Sequence, residues 1–289
     1  MNSNIVPGLI SILIPTRERP ENVIRLVNSV LSTASESRLV EIIFYVDDDD
    51  KSFPNQVFEL GSIKVITGPR MWLSLMQNIL FFHASGEIIM YTGDDVLFES
   101  NSWDKRVRKE FNSVSDKILL VYGSDGGHHG ERIAISGFVH REWINTIGCL
   151  FQSGRVSLPD LWLTETARKI GRLRYIEELK FTHIHFRQGG KAAKFDDTYK
   201  STSDSHFSFR PLDEYKKMDK ERRIDRILLL EKMTEKPNPE FSYLLSETFI
   251  KLYSSKLDLK LIRRIKALKN ISFILYLIKR LFKSIFKIN

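Results

Sequence analysis

The first half of the chain alternates short apolar runs with helical patterns. Residues 10–14 (ISILI) are apolar almost without break, which reads as a strand buried on both faces, with Pro15 expected to stop it. Pro20 suits a helix's first turn, and Val23, Leu26, Val27 and Val30 then share one face. A second strand is predicted at 42–46 (IIFYV), running into four aspartates at 47–50. A third, 63–66 (IKVI), is closed by Gly68 and Pro69. Residues 71–84 predict a helix with Leu75, Ile79 and Phe82 at helical spacing. A fourth strand at 88–91 ends at Gly93, Asp94 and Asp95, and a fifth is predicted at 119–122. Such repetition predicts an α/β fold, its mostly parallel sheet covered by helices on both faces.

The second half is less regular. Residues 123–131 (GSDGGHHGE) read as a mobile loop, 158–171 as a helix and 180–186 as a strand. Residues 214–235 predict a charged helix with little apolar face, broken by Pro237 and Pro239, which mark the boundary between body and extension.

Composition narrows the classes. Cys149 is the sole cysteine, so no internal disulfide forms and a reducing compartment is expected. Residues 1–8 lack the basic and apolar regions of a secretory signal. The apolar run at 271–278 falls well short of the ~20 residues a spanning helix needs. The net charge of +8 is lopsided: residues 256–289 hold ten basic side chains against Asp258, leaving the rest at −1. That asymmetry points to an anionic membrane surface or a nucleic acid as the tail's partner.

In open α/β sheets, ligands bind beyond the carboxyl ends of the strands. Pro15, Thr16 and Arg17 follow the first predicted strand, Asp47 and Asp48 the second, Arg70 the third, and Asp94 and Asp95 the fourth. Carboxylates there can accept hydrogen bonds from a ribose or hold a hard divalent cation, while arginines pair with phosphate oxygens. Taken singly, the run at 47–50 is as well read as a solvated turn, whereas for Asp94-Asp95 a cap on the segment towards Trp103 is the lesser reading. A calcium loop starting at Asp48 is excluded, since Phe53 stands where its sharp turn needs glycine. His183 and His185 alternate on one predicted strand, so both rings face one side and suit a metal ligand role. Asp160 follows Pro159 at a helix start, either as a cap or as a general base. Neither a phosphate-loop motif nor a dinucleotide-binding glycine motif follows the first strand.

The ordered pieces ISILIPTRERP, IIFYVDDDD, GPRMWLSLMQNILFFHASGE and IIMYTGDDVLF resemble the GT-A glycosyltransferases, above all family-2-like enzymes. Later pieces, VYGSDG, PDLWLTETARKIGRLRYI and THIHFRQGGKAAKFDDTY, are similar to a branch common in bacteriophage and bacterial genomes. The resemblance covers roughly residues 9–203. It implies a nucleotide-diphosphate sugar donor with Asp47 or Asp48 near the nucleoside, and Asp94-Asp95 as the motif for Mn2+ or Mg2+. Asp160 then matches the position of a base, and His183 begins a His-x-His element. Phe186 stands where a proline is usual, and Asp-Asp replaces Asp-x-Asp.

On this reading residues 1–212 are a catalytic domain, and residues 213–289 are a helical extension ending in a basic amphipathic tail. In the tail Leu261, Ile265, Leu268, Leu275, Ile278, Phe282 and Ile285 recur near helical spacing among lysines and arginines. Such a helix suits a bilayer interface, at ~1 kcal/mol per basic residue near an anionic surface. The function expected is sugar transfer to a hydroxyl of a glycan or lipid-linked acceptor, in the cytoplasm or on the inner membrane face. The rivals are modification of hydroxymethylated DNA bases, and a non-catalytic sugar-binding protein.

Overall fold

A computed structural model describes residues 5–126, 130–152, 158–184 and 211–235. Eight strands form its sheet: β1 (Val6–Thr16), β2 (Val40–Asp47), β3 (Ser62–Gly68), β4 (Gly86–Tyr91), β5 (Val96–Phe98), β6 (Leu120–Ser124), β7 (Gly137–His140) and β8 (Leu173–His183). Their order is β3-β2-β1-β4-β7-β6-β8-β5. The first four are mutually parallel, β6 and β8 are parallel, and β7 and β5 are antiparallel to their neighbours. The expected mostly parallel α/β sheet is therefore present. Every residue of β2 is buried, as an unbroken apolar run under two helical layers requires.

Helix α1 (Pro20–Thr33) lays Val23, Leu26, Val27 and Val30 on one face of the sheet, joined there by α3 (Trp103–Asn112) through Trp103, Val107 and Phe111. Each such side chain contributes about 1.5–3 kcal/mol by leaving water. The opposite face carries α2 (Leu73–His83), α4 (Arg141–Ile147), α5 (Pro159–Lys169) and α7 (Asp219–Thr234), the last preceded by the short α6 (Pro211–Lys217). No helix among the described residues is long and apolar enough to cross a membrane.

Three expectations need correction. Pro15 does not stop β1, which runs to Thr16. Pairing with β4 ends at Leu13, whereas pairing with β2 continues to Thr16, so the strand is an edge on one side where the proline sits. Helix α2 turns Ser74, Gln77, Asn78 and Leu80 inward, while Leu75 and Ile79 are half-buried and Phe82 is exposed. The reason is hydrogen bonding. Gln77 Nε2 donates to the carbonyls of Leu13 and Thr92, and Asn78 exchanges bonds with the backbone of Leu150 and Phe151. Buried backbone groups need those partners, so polar side chains take the inner face. The charged segment at 214–235 is two helices, and α7 buries Ile227, Leu228 and Leu229 in the second core cluster.

Asp225 lies fully inside α7's interface, where Trp162 Nε1 donates to it at 2.8 Å and Gln152 Nε2 at 3.0 Å. Burial pushes its carboxyl up to about 7, against those hydrogen bonds. The folded chain thus holds a proton that the unfolded chain releases near its ordinary value of 3.8. Stability is expected to fall as pH rises from about 4 to 7, with a slope of up to about 1.4 kcal/mol per pH unit. Asp225→Asn should flatten that slope in denaturant titrations run across this range. An unchanged slope would move the titration elsewhere.

Candidate active site

The parallel strands β1, β2, β3 and β4 end on one rim, which gathers the loops singled out in the sequence. Thr16, the last residue of β1, donates its hydroxyl to Asp94 Oδ2 at 2.7 Å. Arg19 Nη1 reaches Asp94 Oδ1 at 3.1 Å and Asn22 Nδ2 reaches it at 3.4 Å. Asp94 is only 3 % exposed. Burial and the neighbouring charge of Asp95 push its carboxyl up, and Arg19 and Thr16 pull it back. The partner of Asp94 is thus Arg19 beside Thr16, a residue that the sequence reading passed over in favour of Arg17.

Arg17 crosses instead to the end of β2. Its Nη1 donates to Asp47 Oδ2 at 2.9 Å, and the guanidinium also clasps the Asp49 carboxylate, with Nη2 to Oδ2 at 2.9 Å. Arg17 beside Asp49 holds that carboxyl below the usual range, and the more distant charge of Arg70 adds to the effect. Asp48 projects to solvent while its N–H donates to Gly68 O at 2.8 Å, so the loop is pinned to the end of β3. Gly68 is required there. A Cβ would stand 2.4 Å from the Tyr45 hydroxyl, which donates to Pro69 O at 2.8 Å. Pro15 lies half-buried one residue before Thr16, and Arg70 is exposed just beyond β3.

The second acidic residue faces the other way. The register of β5 on β8 pairs Val96 with His183, which carries Asp95 to the end of β8. His183 Nε2 lies 3.2 Å from Asp95 Oδ2, and the N–H of Ile184 donates to Asp95 O at 2.7 Å. Burial disfavours the imidazolium, yet the bond to Asp95 and the charges of Asp95, Asp125 and Asp94 outweigh it and raise its pKa. Asp125 is buried just past β6, and its carbonyl accepts the N–H of His183 at 3.0 Å. Sequence reasoning missed it inside a loop rich in glycine. Its one legible signal was its place after a predicted strand. His185, His128 and His129 lie outside the described residues.

Asp94, Asp95 and Asp125 thus lie close enough to His183 for their charges to act on its imidazole, a set of oxygen and nitrogen donors. Oxygen donors with one nitrogen suit Mn2+, and Mg2+ if water completes the shell. Among the described residues no group of three or more His, Cys, Asp or Glu side chains is arranged to hold a metal. Of the expected metal ligands, Asp95 and His183 lie side by side, and His185 is outside the described residues.

Asp160 sits in the first turn of α5, where its Oδ1 accepts the N–H of Leu161 at 2.9 Å. Leu158, in the left-handed region at φ 80°, precedes the helix as its cap position, so Asp160 is not the cap residue itself. Its charge reaches the end of β4: burial pushes the Tyr91 phenol up, and Asp160 adds to that. The carboxylate is half-buried.

Residues 11–128 match the family model described as glycosyl transferase family 2. No curated protein matches the sequence. Solved structures of similar fold include the crystal structure of S. aureus TarS 1-349, 12 % identical, with 60 % of this chain and 59 % of that one covered at a TM-score of 0.49. The mannosyltransferase PcManGT from Pyrobaculum calidifontis, in complex with GDP-Man and Mn2+, is 12 % identical, with 95 % and 87 % covered and a TM-score of 0.48. GalNAc-T7 with UDP, GalNAc and Mn2+ is 14 % identical, with 64 % and 45 % covered and a TM-score of 0.50. The chain spans about three fifths of the TarS structure's length and less than half of GalNAc-T7's. At 14 % identity the likeness to GalNAc-T7 speaks for fold, and the family match rests on sequence. Residues 11–128 are thus similar in sequence to glycosyl transferase family 2, and the fold is similar to that of GalNAc-T7.

Proposed function

We propose that the chain transfers a sugar from a nucleotide-diphosphate sugar to a hydroxyl acceptor, a glycan or lipid-linked molecule at a membrane surface. One observation carries this reading above the others. The Asp95–His183 pair, 3.2 Å apart, stands on the same rim as the Arg17 clasp on Asp47. A diphosphate and the nucleoside it carries need such a pairing of cation site and polar cradle.

In this scheme Pro15, Thr16, Arg17, Asp47, Asp48, Arg70 and Asp94 form the donor cradle. Asp47 and Asp48 accept from the nucleoside, and Arg70 pairs with phosphate oxygens. Arg17 would have to exchange Asp49 for the donor, while Asp94 keeps the β1 loop in place through Thr16 and Arg19. Asp95, His183 and His185 hold Mn2+ or Mg2+. When bound, that cation offsets the charge of the leaving diphosphate. Asp160 takes the proton from the acceptor hydroxyl as the new bond forms. Residues 1–212 are the catalytic domain, and 213–289 are an extension whose basic tail meets the membrane.

Two measurements test the parts. A Cβ at residue 93 would stand 2.7 Å from Asp95 Oδ1, so Gly93→Ala should turn that carboxylate away from His183. The expected loss is roughly 10–100-fold in Mn2+ affinity by titration calorimetry, the range seen when a ligand's support is removed. Unchanged affinity would remove Asp95 from the site. For the tail, the full chain should bind anionic vesicles and a chain ending at Ser255 should not. Equal binding by both would exclude the membrane role, and loss of duplex binding with salt dependence instead would favour a DNA acceptor.

A further inference from the structure

Helix α5 carries Asp160 in its first turn, and two polar anchors fix that end of the helix. One is Thr164, whose hydroxyl donates to Asp160 O at 2.7 Å and accepts the N–H of Ala134 at 3.0 Å. The carbonyl of Ala134 takes the Tyr91 hydroxyl at 2.7 Å, so this anchor reaches the end of β4. The other is Trp162, whose Nε1 donates to Asp225 Oδ2 at 2.8 Å. Asp225 also accepts from Gln152 Nε2 at 3.0 Å, so one carboxylate of α7 holds residues on either side of the approach to α5. The Arg222 guanidinium, one turn earlier on α7, lies 5.5 Å from the Trp162 ring centroid and 3.9 Å from that of Tyr215. A cation over the indole face adds to its fixing.

Asp225 is a poor choice for stability alone. Helices α5 and α7 share an apolar cluster that includes Leu163, Ala167, Ile227, Leu228 and Leu229. A carboxylate buried in such a setting costs stability, and burial pushes this one up to about 7. An apolar side chain of similar size often packs there as well or better. What the carboxylate adds is direction. It holds the indole in one orientation, and Trp162 follows Asp160 by only two residues.

We propose that Asp225 is a positioning residue: through Trp162 it sets the seat of α5, and thereby where the Asp160 carboxylate stands near the end of β4. Helix α7 then acts on the catalytic domain, although it lies in the extension by sequence. The inference rests on the reading of Asp160 as the base.

Replacing both partners by apolar side chains, Trp162→Phe with Asp225→Leu, separates position from stability, because neither is left buried and unpaired. Gln152 is half-buried and can turn to water. In the full-length chain this pair should keep the wild-type melting temperature at neutral pH or exceed it. Release of UDP, GDP or dTDP from the matching sugar donor with Mn2+ should fall by about 10–100-fold, a misplacement of about 1 Å being enough. The donor dissociation constant should not move. Asp225→Asn can still accept the indole N–H and should keep the rate within about three-fold of wild type. In an Asp160→Asn background the apolar pair should change the remaining rate by less than about two-fold, since residues acting along one path do not add. Wild-type release by the apolar pair, a loss that only follows a falling melting temperature, or a full further loss in the Asp160→Asn background would each overturn the proposal. Should Asp160→Asn itself release nucleotide at the wild-type rate, the reading of the base falls and this inference with it. An impaired Asp160→Asn beside an unimpaired apolar pair would leave the base standing and remove only the role of Asp225.

Discussion

Asp95→Ala is expected to abolish the stabilisation that a nucleotide sugar and Mn2+ give together, while the ligand-free melting temperature stays within a few degrees of wild type. For the wild-type chain, donor at 100 times its dissociation constant should add about 2.7 kcal/mol. The variant should add none. The fold should survive because Asp95 sits between β4 and β5, outside the apolar core, and its charge raises the pKa of Asp94. Removing it relieves a like-charge repulsion at a buried carboxylate. Calorimetric titration of metal, then of donor, separates the two effects. Mn2+ binding by the variant at wild-type affinity would place the cation elsewhere.

Asp160→Asn carries the second large effect. Transfer should fall by about 10²–10⁴-fold, the usual contribution of a positioned base, with donor affinity unchanged. Asparagine keeps the size and can still accept the Leu161 N–H, so the first turn of α5 should hold. Neither the cradle nor the Asp95–His183 pair includes Asp160, which is why donor binding should not move. The decisive comparison sets transfer rate beside donor dissociation constant for one variant. A rate within a few-fold of wild type, or a large drop in melting temperature, would return Asp160 to a structural role in α5.

The sheet was legible where burial on both faces left no choice of residue. ISILI, IIFYV and IIMY became β1, β2 and β4 because only apolar side chains fit between two helical layers. Strands β5 and β7, of three and four residues, are too short for any period to emerge. Helix α3 had a readable stripe in Trp103, Val107 and Phe111, yet its other positions are so charged that the stripe was passed over. Helix α2 misled for the opposite reason, since local periodicity cannot show that Gln77 and Asn78 are needed by strand and loop carbonyls.

The site divides along the same line. Carboxylates at strand ends were legible because the parallel sheet sends its ends to one rim. Arg19 and Asp125 were not, because their roles depend on how the loops fold back. Arg19 reaches across to Asp94, and the carbonyl of Asp125 meets His183 from a strand almost sixty residues away. The pairing of Asp95 with His183 likewise follows from the β5–β8 register, a contact between distant segments.

The central claim is tested most directly by titrating the full-length chain with UDP-, GDP-, CMP- and dTDP-sugars, each with and without Mn2+, and following heat and melting temperature together. The account expects one nucleotide class to bind, with affinity that falls at least ten-fold when the metal is withheld and vanishes in Asp95→Ala. Binding by none of them, or equal binding with and without metal that survives in Asp95→Ala, would contradict it.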